Sequence, residues 1–173
     1  MFAVAAAAGF ARQAYGATEL DYRLFYVFGA ILNVAWLGLG TLYLLAPRFA
    51  RWALWAVVAL TVVALAAVFT SPVDLAKAVD TGRGFENAPL PRILAGIGSG
   101  IGSVVLIGGA LWSAYVFFTR RHEGRRALAN VIIAAGVLVA AAGGTAAFTG
   151  ASGVVEWTNF IGVLLIFIGF LLV

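Results

Sequence analysis

The chain has 173 residues, of which 64% are hydrophobic and only 10% are charged, and its mean hydropathy is +1.05. A soluble domain carries about 25% charged residues, so this composition excludes an ordinary soluble domain and predicts a protein of the lipid bilayer. The net charge of +4 is small and lies between the apolar segments, which indicates membrane orientation and not nucleic-acid binding. The chain has no cysteine, which excludes disulfide bonds and thiol chemistry.

The first apolar segment, Phe2–Tyr15, is shorter than a membrane span, which needs about 20 residues. We therefore expect either a native polypeptide that is longer at the N-terminus or a short helix displaced towards one surface. No basic residue precedes the segment, which argues against a secretory signal peptide. Thr18, followed three residues later by Asp21, predicts an N-cap for the next helix.

Residues 22–45 are long enough to cross a bilayer as a helix, and one face of that helix is not apolar. Steps of three and four residues give a stripe of small, aromatic and polar side chains, Tyr22, Tyr26, Gly29, Asn33, Trp36, Gly40 and Tyr43. The opposite face, which we expect to contact lipid, carries Leu24, Phe28, Ile31, Val34 and Leu45. Because an unpaired Asn is costly in hydrocarbon, we expect the stripe to face the protein interior, with the other segments packed around it.

Four more apolar segments follow, at residues 52–70, 93–118, 128–148 and 154–173, and Pro47 ends the helix before them. The sequence thus predicts an all-α fold over residues 1–173. We expect a single transmembrane helical bundle of five full spans plus a short N-terminal helix, six segments in all.

A connection at residues 71–91 separates the third and fourth segments, and it is long for a compact bundle. Ser71 as N-cap and Pro72 at the first helical position predict a short interfacial helix at 73–80, and Pro89 and Pro91 close the loop. Six charged residues lie here or just beyond, Asp74, Lys77, Asp80, Arg83, Glu86 and Arg92. They indicate either a solvated loop or a surface that serves as a lid or binds a partner.

Glycines at helical spacing predict close contacts between helices. The run GIGSGIGS at 96–103 lies in an apolar segment and matches no phosphate-binding motif. It offers two small-residue faces, Gly98 with Gly102 or Gly96 with Gly100. The glycines to which we assign packing are Gly29, Gly40, Gly98, Gly102, Gly136 and Gly143.

The candidate ligand-binding residues are Tyr26, Asn33, Trp36 and Thr41. In one interpretation they line a pocket or a polar path. In the other, Asn33 joins helices through a backbone carbonyl or a hydroxyl, for which Thr61, Ser99 and Ser103 are the candidates. The only histidine, His122, lies in the basic turn RRHEGRR, where we expect a solvated side chain, and Glu156 suits the positive start of the last helix.

Several chemistries have no candidate residues in the spans. No carboxylate falls at the centre of a segment and no lysine lies within one, which excludes an intramembrane aspartyl protease, a proton-coupled pump and a retinal Schiff base. The sequence shows neither a metal-binding cluster nor a catalytic triad. We therefore expect a non-enzymatic protein without cofactor or metal.

The function that we favour on these grounds is a binding or accessory subunit of a membrane assembly. Its partners would be the lipid bilayer and either a second copy or another membrane protein. The alternatives are a small transporter or channel, with a path along Asn33, Thr41 and the glycines of the fourth segment, and a membrane sensor input module.

Residues 23–45 and 92–112, together with the Ala-, Gly- and Arg-rich usage, carry a resemblance. The chain resembles uncharacterised multi-pass integral membrane proteins of high-GC bacteria, and the resemblance covers most of its length. It implies a location in the bacterial inner membrane and no particular activity, and in such proteins a further helix upstream is expected.

The loop charges predict the orientation. The turns at 46–51 and 119–126 hold six arginines and one glutamate, whereas the charges assigned to the other side are five positive and six negative. The positive-inside rule then places these two turns and both termini in the cytoplasm.

A labelling experiment tests this orientation. A cysteine introduced by Ser152→Cys should react from outside the cell with a membrane-impermeant maleimide, whereas one introduced by Glu123→Cys should react only after the membrane is opened. The reverse pattern would show that the orientation is wrong.

Overall fold

A computed structural model describes residues 1–16, 18–78, 83–149 and 154–172, and the elements in these ranges are helices. We number them α1 to α7 in chain order: α1 Phe2–Tyr15, α2 Glu19–Leu45, α3 Pro47–Thr70, α4 Leu75–Ala78, α5 Pro89–Thr119, α6 Gly124–Thr149 and α7 Val154–Leu171. The expectations for Asp80, for Ser152 and for the side chain of Glu156 lie outside the described residues.

Four of the described helices are long and apolar enough to cross a membrane, Glu19–Leu45, Pro47–Thr70, Pro89–Thr119 and Gly124–Ala146. The all-helical fold and the membrane character are thereby confirmed, but the five full spans that we predicted exceed what the structure shows. The last segment forms the 18-residue helix α7, within which Trp157–Leu171 is a shorter apolar helix that is not counted among the four.

Helix boundaries follow local chemistry, and the cap predicted at Thr18 is confirmed. The backbone N–H of Asp21 donates to Thr18 Oγ1 at 3.2 Å, and the Thr18 hydroxyl donates to the Asp21 carboxylate at 2.5 Å. This exchange satisfies one of the free N–H groups at the start of α2.

The helix α2 ends just before Pro47, as predicted, but three prolines also lie in the first turn of a helix, which the sequence analysis did not predict. Pro47 opens α3 directly after α2, and Pro89 and Pro91 lie in the first turn of α5 instead of in the loop before it. Proline is tolerated at these positions because the N–H groups of a first turn have no partner within the helix.

The short helix α4 also begins later than we predicted. Ser71 ends α3, since its N–H donates to Ala67 O at 3.1 Å, so it does not cap the following helix. Asp74 takes that role, with its carboxylate accepting from the N–H of Ala76 at 3.2 Å.

The middle of α2, Tyr26–Leu32, is a π-helix, flanked by α-helix at Glu19–Phe25 and Asn33–Leu45. A π-helix bonds residue i to i+5, so each turn takes up more residues than an α-turn. Side chains after such a segment therefore point in directions that a constant period of 3.6 does not predict.

This wider turn shifts the buried face of α2. The buried row runs through Tyr22, Tyr26, Ile31, Ala35 and Leu39, with a step of five residues across the π-helix and steps of four on either side. Two parts of our stripe prediction are therefore wrong. Ile31, expected to contact lipid, is fully buried, while Gly40 and Tyr43, at the far end of the stripe, are exposed.

The chain divides into two compact units, Met1–Gly102 and Ser103–Val173. In the first unit α2 is central. A Cβ built on Gly29 would lie 3.2 Å from Ala5 Cβ of α1, so Gly29 lies at a close contact as predicted. On another side, Trp36 Nε1 donates to Thr61 Oγ1 of α3 at 3.3 Å.

The start of α5 packs on the π-helical segment through glycine. A Cβ on Gly98 would overlap the carbonyl oxygen of Ile31, and one on Gly102 would lie 2.5 Å from the carbonyl oxygen of Val34. The Ser99 hydroxyl donates to the carbonyl of Ala30 beside them. The sequence offered two small-residue pairs on this helix, and Gly98 with Gly102 is the pair that packs against another helix of the chain.

In the second unit, α6 and α7 pack antiparallel through glycines seven residues apart. A Cβ on Gly136 would lie 2.6 Å from Gly162 O, one on Gly143 would overlap the Thr158 hydroxyl, and one on Gly169 would lie 2.6 Å from Ile133 Cγ1. The packing assigned to Gly136 and Gly143 thus corresponds to close contacts. Gly40, by contrast, is exposed, and a Cβ there would meet no described atom within 4 Å.

The two glycine faces of α5 provide a matched pair of variants. Gly98→Ala should lower the free energy of unfolding by about 1–3 kcal/mol, because its methyl group meets backbone that cannot move aside. Gly100→Ala should leave stability equal or slightly higher, since its site is open and alanine favours helix. Unfolding by dodecyl sulfate in mixed micelles measures both, and equal stability of the two variants would contradict the packing.

Candidate functional site

An aromatic cluster closes the end of α2 that meets the 71–88 connection. Tyr22, Tyr26 and Phe85 are each almost completely buried. The Phe85 ring centroid lies 4.8 Å from that of Tyr26, edge to face, and 5.5 Å from that of Tyr22. Such pairs stabilise beyond the apolar area that they bury, so Phe85 attaches this part of the connection to α2.

Gly84 fixes the backbone beside this cluster. Its N–H donates to the Tyr22 hydroxyl at 3.0 Å, and its carbonyl accepts from the N–H of Asp74 at 2.9 Å. A Cβ at residue 84 would lie 2.7 Å from Tyr22 Cε1, so only glycine allows the loop to approach this closely. Gly84 thereby links Asp74 of the connection to Tyr22 of α2.

Arg23 joins the start of α2 to the end of α3. Its guanidinium donates to the carbonyl oxygens of Val68 and Ser71, the latter at 2.9 Å, and pairs with Glu19 one turn earlier. The last carbonyls of a helix have no partner within it and carry partial negative charge. Only 9% of Arg23 is exposed, so this cation serves as a buried C-terminal cap of α3.

The connection that carries Phe85 also carries three charged side chains that pair with one another. Lys77 Nζ lies 2.8 Å from the Glu86 carboxylate and 3.9 Å from that of Asp74. The hydrogen bond and the charge of Glu86 raise the pKa of Lys77 above its usual value, and the same bond lowers the pKa of Glu86. The pair is therefore fully charged at neutral pH. Its stabilisation is lost as pH falls through the lowered pKa of Glu86, or as pH rises through the raised pKa of Lys77.

The Tyr26 hydroxyl is the unusual group in this region. It is buried, and it makes no hydrogen bond with any residue that the structure describes. Burying an unsatisfied hydroxyl costs about 1–3 kcal/mol. Tyr26 is also the first residue of the π-helix, an element that is frequent at functional sites. Tyr26 is thus the one ligand-binding candidate with a buried and unused polar group.

The other three ligand-binding candidates, Asn33, Trp36 and Thr41, do not share hydrogen-bond partners. Asn33 is half-buried at the edge of the buried row, and its amide makes no hydrogen bond with the described residues. Trp36 takes Thr61 as its acceptor, and the Thr41 hydroxyl donates to the carbonyl of Leu37 in its own helix at 3.3 Å. The interpretation in which Asn33 bonds to a backbone carbonyl or to Thr61, Ser99 or Ser103 therefore has no such bond among the described residues, where Thr61 accepts from Trp36 and Ser99 donates to Ala30.

Three residues of this region were missed as site residues by the sequence analysis, Arg23, Gly84 and Phe85. For Arg23, the spacing of four residues from Glu19 predicts an ion pair on one face of the helix. Phe85 is the one aromatic residue in the polar run GRGFEN, which is a weak signal for burial. Nothing in the sequence distinguishes Gly84 from its neighbour Gly82.

The basic turn at residues 119–126 belongs to the second unit. His122 is exposed, as predicted, and adopts the left-handed backbone conformation with φ of 53°. Throughout the described ranges, no group of three or more His, Cys, Asp or Glu residues is placed to hold a metal ion.

No protein-family model, curated protein or solved structure matches the chain.

A pair of phenylalanine variants tests the aromatic cluster. Phe85→Ala should lower the free energy of unfolding by about 3–5 kcal/mol, because it leaves a cavity between two buried tyrosines. Phe49→Ala removes the same group where 72% of the side chain is exposed, and it should have little effect. Thermal unfolding in detergent compares them, and a Phe85→Ala protein as stable as Phe49→Ala would show that the loop is not attached in this way.

Proposed function

We propose that this protein is a non-enzymatic, multi-pass protein of the bacterial inner membrane that acts as a binding or accessory subunit of a membrane assembly. Both termini lie in the cytoplasm in this proposal. The observation that carries it is the second small-residue face of α5, formed by Gly96 and Gly100. Both glycines are exposed, and a Cβ on either would meet no described atom within 4 Å.

The helix α5 carries two glycine pairs with the same spacing, which can be compared. Gly98 and Gly102 also lie one turn apart, and they admit the backbone of α2 at contact distance. Gly96 and Gly100 have the same spacing with nothing against them, and this small-xxx-small pattern lets a second transmembrane helix approach closely. An interior helical glycine is less favourable than alanine by about 1 kcal/mol, and here no contact with a described residue offsets that cost.

The side chains around these two glycines favour packing. Ile93, Ile97 and Ile101 are exposed beside them on α5. Large apolar ridges next to a glycine groove are what a partner helix interdigitates with. The partner in this proposal is a transmembrane helix of another membrane protein or of a second copy of the chain.

A small transporter or channel is the second candidate function. The π-helical segment beside Asn33, together with the buried Tyr26 hydroxyl that lacks a partner, favours it. Against it, α2 carbonyls occupy the space at Gly98 and Gly102, and Thr41 bonds to its own helix, so these residues do not form a polar path in this conformation.

Site-specific photo-crosslinking tests the subunit proposal in native membranes. A photoreactive amino acid at Ile97 should trap a partner helix. Gly100→Leu should reduce the yield about tenfold, because overpacking a close contact costs about 1–3 kcal/mol. A product of twice 18.0 kDa would identify a second copy, and any other mass a different protein.

Gly40→Leu is the matched control, since Gly40 is also an exposed helical glycine with open space around it, but has no glycine one turn away. Its crosslinking yield should equal that of the unaltered chain. Absence of any product at Ile97, or a yield that Gly100→Leu leaves unchanged, would contradict the proposal.

A further inference from the structure

An apolar groove of about 360 Å³ lies in the second unit, between the end of α5 and the start of α6. One face of each helix lines it, with Ala114, Tyr115, Phe118, Gly124, Ala127, Leu128 and Val131. The two alanines are buried, and the four large side chains stand exposed at its sides. A floor of small residues between large apolar walls suits an extended hydrocarbon chain.

The turn that joins these helices carries four arginines and one acidic residue, Glu123. Arg121 and Arg126 are held by Phe117, with guanidinium carbons 5.5 and 5.9 Å from its ring centroid, and Arg126 also pairs with Glu123 at 2.7 Å.

The remaining two arginines of the turn, Arg120 and Arg125, have no such partner. Both are exposed, and their guanidinium groups make no ion pair or hydrogen bond with the described part of the chain. In sequence, each lies within two residues of the groove, after Phe118 and Gly124. Two uncompensated cations therefore stand at the end of an apolar groove.

α5 and α6 are both long and apolar enough to span the membrane, so the turn between two such spans lies at the level of the lipid headgroups. Positive charge at this level attracts anionic headgroups, by about 1 kcal/mol for each Lys or Arg. The acyl chains of the same lipid extend from there into the hydrocarbon region beside the helices.

We propose that this groove is a binding site for an anionic glycerophospholipid, whose phosphate contacts Arg120 and Arg125 and one of whose acyl chains lies along Ala114 and Ala127. The inference rests on the membrane-spanning arrangement of the proposed function, but not on a partner helix at Gly96 and Gly100.

Spin-labelled lipids test the site with the full chain reconstituted in phosphatidylcholine bilayers. The motionally restricted fraction of chain-labelled phosphatidylglycerol should exceed that of chain-labelled phosphatidylcholine. Arg120→Gln and Arg125→Gln should each lower the relative association constant for phosphatidylglycerol about fivefold. Ala127→Phe, which fills the groove floor, should lower it with all the arginines in place.

The control removes two exposed arginines elsewhere, Arg48→Gln with Arg51→Gln at the start of α3. This variant has the same net charge as the double Arg120→Gln, Arg125→Gln variant and should keep the selectivity. An equal loss in both would show a general charge effect without a site, and no preference for phosphatidylglycerol in the unaltered chain would overturn the proposal outright. Neither result depends on crosslinking at Ile97, so this proposal and the subunit proposal fail separately.

Discussion

The first unit depends on the contact of the α5 backbone with the π-helical segment of α2. Gly98 and Gly102 bring the helices so close that carbonyl oxygens of Ile31 and Val34 occupy the space of missing side chains. Helices in lipid gain little from hydrophobic association, so packing and hydrogen bonds must hold them together. The Ser99 hydroxyl adds such a bond at the Ala30 carbonyl. The π-helical segment of α2 and the Gly98–Gly102 face of α5 thus pack against each other.

The polar contacts of this unit lie mainly at helix ends. Arg23 satisfies carbonyls at the end of α3, Thr18 satisfies an N–H at the start of α2, and Tyr22 accepts from the loop at Gly84. Each places a polar group where the helical backbone has an unused partner. One end of α2 is therefore bound to both the preceding turn of chain and the 71–88 connection, while Gly40 and Tyr43 at its other end are exposed.

Composition and spacing predicted the helical fold and most segment positions, because apolar runs are local signals. The prediction failed at Ile31 and Gly40 because a period of 3.6 was applied through a helix that contains a wider turn. Four of the five predicted spans are found among the described residues. The aromatic cluster could not be predicted, since the burial of Phe85 depends on a contact with residues about 60 positions earlier in the chain.

The π-helical segment also determines how α2 responds to a change in its length. Removing one residue from an ordinary α-helix rotates everything beyond it by about 100°, which would turn a buried face towards lipid. Between Tyr26 and Leu32 the chain already holds more residues per turn than an α-helix does. A single deletion there would convert the wide turn to an α-turn and leave Tyr22 and Ala35 on the same side. This stretch is therefore the part of α2 at which the loss of one residue would rotate the rest of the helix least.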